Sequence, residues 1–232
     1  MLNYEVEPGL LNRYVPAGTT LDSFEGKTYV SLVGFRFNRT KILGHFPVPF
    51  HANFDEVNLR FYVRRDEGGD TRRGVVFIAE VVPRRAIAMA ARLLYGENYR
   101  YCRMRHHLET EGPTKMAEYR WQVGHQWCRI SAQTAGSPTH SQEGSLEQFI
   151  TEHYWGFSAQ GSRGALEYHV SHVPWQVWAT AKAGFEGEAS SLYGAELSTV
   201  LKRRPDFYGS DVAMTLSDDE SETVLPRDSI RR

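Results

Sequence analysis

The stretch that most constrains the fold of this chain is residues 75–104, which passes through three regular elements in succession. Residues 75–82 are almost all apolar and rich in β-branched side chains, which predicts a strand buried on both faces. Glu80 is the one exception in that strand. The stretch therefore begins with a strand of the protein interior.

A short amphipathic helix is predicted directly after this strand. Pro83 suits a first helical turn, where its missing N–H would have had no partner. Apolar residues then recur at helical spacing within 87–94, and Gly96 predicts the end, because glycine accepts the left-handed conformation of a helix cap. The alternation of residues 99–104 predicts a further strand.

Three other patterns predict local structure. Mixed charges around a Gly-Gly pair predict a solvated hairpin tip over residues 64–73, where the arginines and acids need no partner. Small polar residues predict a surface loop over residues 134–144. Ser145 and Gln148 form a capping box, which predicts the start of a helix.

The most informative local pattern is the alternation of polar and apolar residues in 55–64. In a strand it places four polar side chains on one face and four apolar side chains on the other. The polar four are Glu56, Asn58, Arg60 and Tyr62, and the apolar four are Val57, Leu59, Phe61 and Val63. An ordinary sheet with one solvated face explains this pattern. The alternative is a polar face that lines a cavity, because a carboxylate, an amide, a guanidinium and a phenol orient a ligand through directed hydrogen bonds.

Five short motifs follow one another along the chain. They occupy residues 29–35, 47–51, 54–63, 151–155 and 172–175. Together with the strand, helix and strand of residues 75–104, their order and spacing resemble the uncharacterised YqjF-like family, DUF2071, of the acetoacetate decarboxylase-like superfamily. The resemblance covers residues 27–215 and favours the cavity over the solvated face.

The resemblance implies an α+β fold, with a mostly antiparallel, strongly curved β-sheet or cone-like β-barrel and a few short helices. A chain of 232 residues allows a single domain of this kind. We expect an irregular N-terminal arm over residues 1–26, one domain over residues 27–216, and a disordered tail over residues 217–232. The tail is polar, charged and interrupted by Pro226.

Acetoacetate decarboxylase-like enzymes use a lysine just after the helix, activated by a second lysine so that a neutral amine forms a Schiff base. In this chain Tyr99 and Arg100 stand at those two positions. A phenol makes no imine, and a guanidinium stays protonated. Lys115 is the nearest of the five lysines, and its place beside a Gly-Pro turn is that of a solvated side chain. We therefore expect no Schiff-base chemistry.

Other catalytic and cofactor chemistries find little support in the sequence. His169 and His172 would point to opposite faces of a strand, so they could not close on one ion. There is no phosphate-binding glycine motif after a strand, no Gly-x-Ser-x-Gly elbow and no cysteine set for zinc. We expect neither a metal nor a cofactor.

Composition narrows the classes of partner. A formal net charge of −1 argues against a nucleic-acid or anionic-membrane surface. No apolar run approaches the roughly 20 residues that span a bilayer, and no charged start with an apolar core suggests a signal peptide. Cys102 and Cys128 are expected as reduced thiols in the interior. We predict a cytoplasmic protein. The formation of a homo-oligomer is compatible with the sequence.

Two functions from different classes remain. The first is the binding of a small organic, anionic carboxylate or carbonyl compound. The second is an enzyme of unknown reaction that uses Glu56 for acid–base catalysis on such a compound. In both, the expected ligand-binding residues are Asn58, Arg60, Tyr62, Arg92, Tyr99 and Arg100. The expected pocket rim is Glu152, Tyr154, His172 and Trp175, although core anchoring and backbone capping also explain these residues.

Overall fold

The computed structural model describes residues 1–37, 41–42, 46–47, 53–160, 164–171, 175–203, 222–223 and 227–230. Within these residues the chain is mostly strand with a few short helices. The strands are β1 Leu2–Val6, β2 Thr20–Leu21, β3 Thr28–Phe37, β4 Lys41–Ile42, β5 Phe46–Pro47, β6 Phe54–Glu67, β7 Asp70–Val82, β8 Tyr99–Tyr101, β9 Met104–Glu109, β10 Met116–Val123, β11 Gln126–His140, β12 Trp155–Ala159, β13 Ala165–Ser171, β14 Gln176–Glu186, β15 Glu222–Thr223 and β16 Arg227–Ile230. The helices are α1 Pro8–Leu11, α2 Arg85–Tyr95, α3 Leu146–Thr151, α4 Ser190–Tyr193 and α5 Ala195–Leu201, with a 3-10 turn at Asn12–Tyr14.

The described strands form two main sheets. The larger runs in the order β1-β3-β6-β7-β12-β13-β15, and β2, β8 and β16 pair with β6, β7 and β13. The smaller runs β14-β11-β10-β9, and β4 pairs with β5. Pairing is antiparallel except where β7 meets β8 and β12. The expected α+β class with mostly antiparallel strands is therefore confirmed.

Strand β6 contributes one face to the main apolar core. Its four alternating apolar side chains, from Val57 to Val63, are fully buried. They lie in one cluster with Trp121 of β10, Ile130 of β11 and Leu197 of α5. The alternation predicted for this strand is confirmed, and the core joins the two sheets.

The polar face of β6 is buried as well. Glu56, Asn58 and Tyr62 are each 1% exposed, and Arg60 is 9% exposed. Helix α3 covers the Tyr62 end of this face, where Phe149 and Ile150 form an apolar cluster with Tyr62. Helix α2 packs at the other end, where its Ala88 forms a separate apolar cluster with Phe54 of β6 and Val82 of β7. The interpretation of a solvated face is therefore wrong, because the helices cover what alternation alone leaves open.

The stretch 75–104 folds largely as predicted, with two differences. Helix α2 begins at Arg85 rather than Pro83, and it ends at Gly96, which is left-handed with φ of 65°. The predicted strand over residues 99–104 is split. Tyr99–Tyr101 pairs with β7, whereas Met104 opens β9 of the other sheet. Alternation continues through the split, so it does not reveal the change of sheet.

Two segments expected to be irregular contain strands. Within residues 1–26, β1 pairs with β3 along its whole length, and Leu2 and Tyr4 are buried. Within residues 134–144, β11 continues to His140 through two register shifts, and Gly136 has φ of 68°. These corrections share a cause, since long-range pairing and bulges accommodate sequences that are locally turn-like.

The C-terminal segment is described only in part. Strands β15 and β16 fall within residues 217–232, and both pair with β13. The rest of that range lies outside the described residues. The disordered tail therefore stays a prediction for those remaining positions.

The hairpin that joins β6 to β7 has partners, contrary to expectation. Arg65 and Arg72 both bind the carboxylate of Glu167 on β13, which is 4% exposed. Arg73 binds Asp22, which is 3% exposed. The hairpin is therefore held by ion pairs to acids that are remote in sequence.

Candidate functional site

Three neighbouring strands converge at one end of the buried polar face of β6. Asn58 of β6 lies opposite Glu80 of β7, and Glu80 lies opposite Tyr99 of β8. Glu97 comes from the turn after α2, which the backbone bond from Glu80 N–H to the Asn98 carbonyl holds against β7. The pairing therefore gathers carboxyl groups from three separate segments.

Glu56 is held by two donors. The amide Nδ2 of Asn58 donates to Glu56 Oε1 at 3.0 Å, and the hydroxyl of Tyr99 donates to Glu56 Oε2 at 3.2 Å. Burial raises the pKa of Glu56 to about 7, against these two hydrogen bonds, and the charge of Glu97 raises it further. Glu56 can therefore take up and release a proton near neutral pH.

Glu80 and Glu97 form a pair of carboxyl groups beside Glu56. Tyr168 of β13 donates its hydroxyl to Glu97 Oε1, and the side chains of Glu97 and Glu80 are hydrogen-bonded to each other. Burial raises the pKa of Glu97 to about 7, against those hydrogen bonds. Burial also raises the pKa of Glu80 well above its usual range, and the charges of Glu97 and Glu56 add to this. A hydrogen bond between two carboxyl groups requires that one of them carries a proton.

Two buried acceptors in this cluster have no hydrogen-bond partner among the described residues. They are Oδ1 of Asn58 and Oε2 of Glu80, and both side chains are 1% exposed. Unmade hydrogen bonds at buried polar atoms are rare in folded proteins. Because the two residues are paired across β6 and β7, the two acceptors belong to the same face.

Arg60 lies on the same face, two residues along β6 from Asn58. Its Nη2 donates one long hydrogen bond, 3.5 Å, to the carbonyl of Ile150, and its Nε has no partner. The guanidinium carbon lies 6.0 Å from the ring centres of both Tyr62 and Trp175. In the part of the chain that the structure describes, no carboxylate neutralises this buried cation.

A polar network borders Arg60 on the side of α3. Asp22 accepts from Arg73 Nε at 2.7 Å, and its Oδ2 lies 3.9 Å from Nε2 of His153. Burial would raise the pKa of Asp22, but the nearby His153 ring and the hydrogen bonds from Arg73 lower it to about 2. Burial lowers the pKa of His153 to about 4 despite the Asp22 contact. The ring of His153 is thus neutral at pH 7, and its centre lies 4.7 Å from that of Tyr62, with the two planes tilted by 39°.

The structure brings six of the expected site residues into two groups on this face. Glu56, Asn58 and Tyr99 are joined by hydrogen bonds. Arg60, Tyr62 and Trp175 are grouped around the guanidinium.

Four other expected site residues lie elsewhere. Arg92 and Arg100 are exposed, and Arg100 Nε donates to Asn98 Oδ1 at 3.1 Å. Glu152 is half-buried and accepts from Gln148, and Tyr154 is half-buried. His172 lies outside the described residues. A role for these positions in binding stays a prediction.

The sequence-based selection missed Glu80, Glu97 and Tyr168. Glu80 could have been selected from the sequence, because it is the lone carboxylate in the otherwise apolar run of residues 75–82. No sequence pattern indicated Glu97 and Tyr168, because they lie 71 residues apart and come together through the pairing of β7 with β8 and β12.

Two other kinds of site are absent from the described residues. None of their His, Cys, Asp and Glu side chains form a group of three or more that could hold a metal ion. No helix among them is long and apolar enough to cross a membrane. Cys102 and Cys128 are both buried, unpaired thiols.

Solved structures share the fold at low sequence identity. MppR, an enduracididine biosynthesis enzyme, in complex with pyruvate has a TM-score of 0.55 at 14% identity, covering 80% of this chain and 72% of MppR. Acetoacetate decarboxylase from Legionella pneumophila has a TM-score of 0.54 at 15% identity, covering 83% and 74%. An acetoacetate decarboxylase-like enzyme from Sphingomonas wittichii RW1 has a TM-score of 0.54 at 12% identity, covering 97% and 83%.

Sequence comparison places the chain more narrowly. No curated protein matches it. Residues 1–213 match DUF2071, a family described as an uncharacterised conserved protein. The match includes every residue of the two groups around Glu56 and Arg60, and every described strand except β15 and β16. The chain therefore belongs to the DUF2071 family, and its fold is that of the acetoacetate decarboxylase-like proteins.

Proposed function

We propose that this protein binds a small organic molecule that carries a carboxylate, on the buried polar face of β6. The face would form the interior of a strongly curved sheet or cone-like barrel. Arg60 anchors the carboxylate, while Asn58, Tyr62 and Tyr99 orient the remainder of the molecule through hydrogen bonds. Binding uses no Schiff-base lysine.

The single observation that carries this proposal is the state of Arg60. Its guanidinium is buried, its Nε is unpartnered, and no described carboxylate pairs with it. A buried charge without a counter-charge is strongly destabilising, so a fold that keeps one gains from an anion that binds beside it. A carboxylate fits, because its two oxygens match the planar fork of guanidinium donors.

The lysines support binding without an imine. Four lysine side chains are described, Lys27, Lys115, Lys182 and Lys202, and none is buried. A lysine amine becomes neutral at pH 7 only when it is desolvated or lies beside another cation. At the position that follows α2, Tyr99 instead donates its hydroxyl to Glu56.

Pyruvate, the compound bound in the MppR structure, is a carboxylate with an adjacent carbonyl. We propose a ligand of the same chemical class for this chain. We also propose that it acts in the cytoplasm, because its two buried cysteines are unpaired, as is common in reducing compartments.

Calorimetric titration with pyruvate, acetoacetate and pentanoate tests the proposal. Arg60→Ala should weaken carboxylate binding on the order of 2 to 4 kcal/mol, because it removes the anchoring charge. Arg64→Ala is the matched control, since Arg64 lies on the same strand but is exposed. Equal affinity for wild type and Arg60→Ala, or equal loss in both variants, would contradict the proposal.

A second function, acid–base catalysis by Glu56, is favoured by a separate observation. Burial places the pKa of Glu56 at about 7, where a carboxyl group serves as both acid and base. In an enzyme, Glu56→Gln should spare binding of the small carbonyl compound yet abolish its turnover, since an amide carries no transferable proton. In a pure binder neither protein should convert the compound, and mass spectrometry of the mixture distinguishes the two.

A further inference from the structure

The unpartnered atoms on the polar face of β6 differ in hydrogen-bonding character from one end to the other. At one end is a donor, Nε of Arg60, and at the other are two acceptors, Oδ1 of Asn58 and Oε2 of Glu80. Side chains two residues apart on one strand face are separated by about 7 Å. A ligand that satisfies both ends must therefore offer acceptors at one end and donors at the other.

The charged groups are divided between the same two ends of the face, with Arg60 at one end and acids at the other. Beyond Asn58 and Glu80 lie the carboxyl groups of Glu56 and Glu97, which makes three acids at this end. Within the described residues, no lysine or arginine forms an ion pair with any of them. Among the described residues, their hydrogen-bond partners carry no positive charge: these are Asn58, Tyr99, Tyr168 and a carboxyl group of the same cluster.

We infer that the ligand of this site is zwitterionic, an amino- or guanidino-carboxylic acid whose carboxylate pairs with Arg60 and whose cationic nitrogen lies among Glu80, Glu56 and Glu97. The inference rests on the proposed carboxylate site at Arg60 and adds the second group that the ligand carries. The cation donates to Glu80 Oε2 and to Asn58 Oδ1, the two acceptors that the protein itself leaves unpartnered.

The arrangement also predicts what happens to protons on binding. Burial raises the pKa values of all three acids, to about 7 for Glu56 and Glu97, and neighbouring carboxylates raise those of Glu56 and Glu80 further, so the cluster has exchangeable protons near pH 7. A bound cation favours the ionised form of a carboxyl group. Binding of the zwitterion should therefore release protons to the solvent, whereas binding of a plain carboxylate at Arg60 should not.

Isothermal titration of the full chain with matched probes tests the inference. The probes are the ω-amino acids from 3-aminopropanoate to 6-aminohexanoate, each compared with the carboxylate of equal length that lacks the amine. At least one amino acid should bind about tenfold or more tightly than its matched carboxylate, the effect of one new charge-assisted contact. Titrations in two buffers of different ionisation enthalpy should show protons released for that amino acid alone.

Glu80→Gln should reduce the amino acid's advantage to about twofold or less while leaving the plain carboxylate unchanged. Glu97→Gln gives a second variant should Glu80→Gln fail to fold, and Glu109→Gln, an exposed acid paired with His107, is the control. If plain carboxylates bind through Arg60 and no amine improves affinity, the inference is wrong and the proposed function stands. If amines bind through Glu80 while Arg60→Ala changes nothing, the carboxylate site is wrong.

Discussion

At the scale of single residues, burial and local donors decide how an acid behaves in this protein. Glu56 and Asp22 are both buried, at 1% and 3% exposure. The pKa of Glu56 rises to about 7 because burial outweighs two neutral donors. The pKa of Asp22 falls to about 2 because its carboxylate lies beside His153 and accepts hydrogen bonds from the charged Arg73. The positive charge of Arg73 distinguishes the surroundings of Asp22 from those of Glu56, whose two donors are neutral.

Glu56→Gln should make the free energy of unfolding less dependent on pH. The folded pKa of Glu56, about 7, lies above its ordinary value of 4.5. The stability associated with this group is therefore fully present below pH 4.5 and is lost as the pH rises through 7, because the unfolded chain ionises first. Glutamine does not ionise, so the variant should lose less stability across this window. Urea unfolding at about pH 5 and about pH 8 measures the difference.

A second buried group acts in the opposite direction over nearly the same window. His153 has a pKa lowered from 6.5 to about 4, so its stability is present above pH 6.5 and is lost as the pH falls through 4. Both proteins keep His153, and the comparison of variant with wild type at each pH removes its effect. An identical difference in stability at both pH values would show that Glu56 is already ionised in the folded state.

At the scale of elements, β7 organises the site because it pairs with three strands. It runs antiparallel to β6, parallel to β12 near Gly74, and parallel to β8 near Glu80. The junction with β12 is very close. A Cβ at Gly74 would lie 2.6 Å from the backbone oxygen of Trp155 and 2.7 Å from the ring of Phe157.

Gly74→Ala should therefore destabilise the fold by about 1 to 3 kcal/mol, the range for overpacking against groups that cannot move aside. Gly184→Ala is the matched control, because Gly184 is also within a strand and a Cβ there would have no atom within 4 Å. That substitution should change stability by less than about 1 kcal/mol and in the favourable direction. Urea unfolding of both variants measures this, and equal effects would mean that β12 moves away from β7 without loss.

At the scale of the whole molecule, the described ion pairs lie at the surface or around the β6–β7 hairpin, whereas the charged groups on the polar face of β6 have no described ion pair. The base of the β6–β7 hairpin is tied to β13 by the arginine contacts to Glu167, and exposed pairs such as Lys202 with Glu188 lie at the surface. On the buried face of β6, Arg60 has no described counter-charge. A formal net charge of −1 describes none of this division.

The lysines whose side chains are described all lie outside that buried face. This leads to a prediction for the intact protein. Incubation with acetoacetate or pyruvate, followed by borohydride, should leave the intact mass unchanged, because no described lysine lies in an environment that keeps an amine neutral. Formaldehyde with borohydride should add mass to the exposed lysines, which shows that the reduction works. An acetoacetate or pyruvate adduct on any lysine would contradict the prediction.

The elements that the sequence alone determined are those whose signal is local. Alternation identified the two faces of β6, Gly96 marked the end of α2, and Ser145 accepts from the Gln148 N–H as its capping pattern predicts. Where partners are remote, the same reasoning failed: β1 and the extension of β11 depend on pairing with β3 and β14. Propensity describes neighbours in sequence, whereas sheet pairing is decided between distant segments.

The residues of the candidate site likewise divide into those that the sequence predicted and those that only the tertiary structure revealed. Sequence alone placed Glu56, Asn58, Arg60 and Tyr62 on one face of a strand, because side-chain direction in a strand has a period of two residues. Tertiary structure alone decided that helices α2 and α3 cover this face, that Glu80, Glu97 and Tyr168 join it, and that Arg60 is left without a carboxylate among the described residues. Periodicity determines where a side chain points, but burial, and with it the pKa of every acid here, depends on what long-range packing puts in front of it.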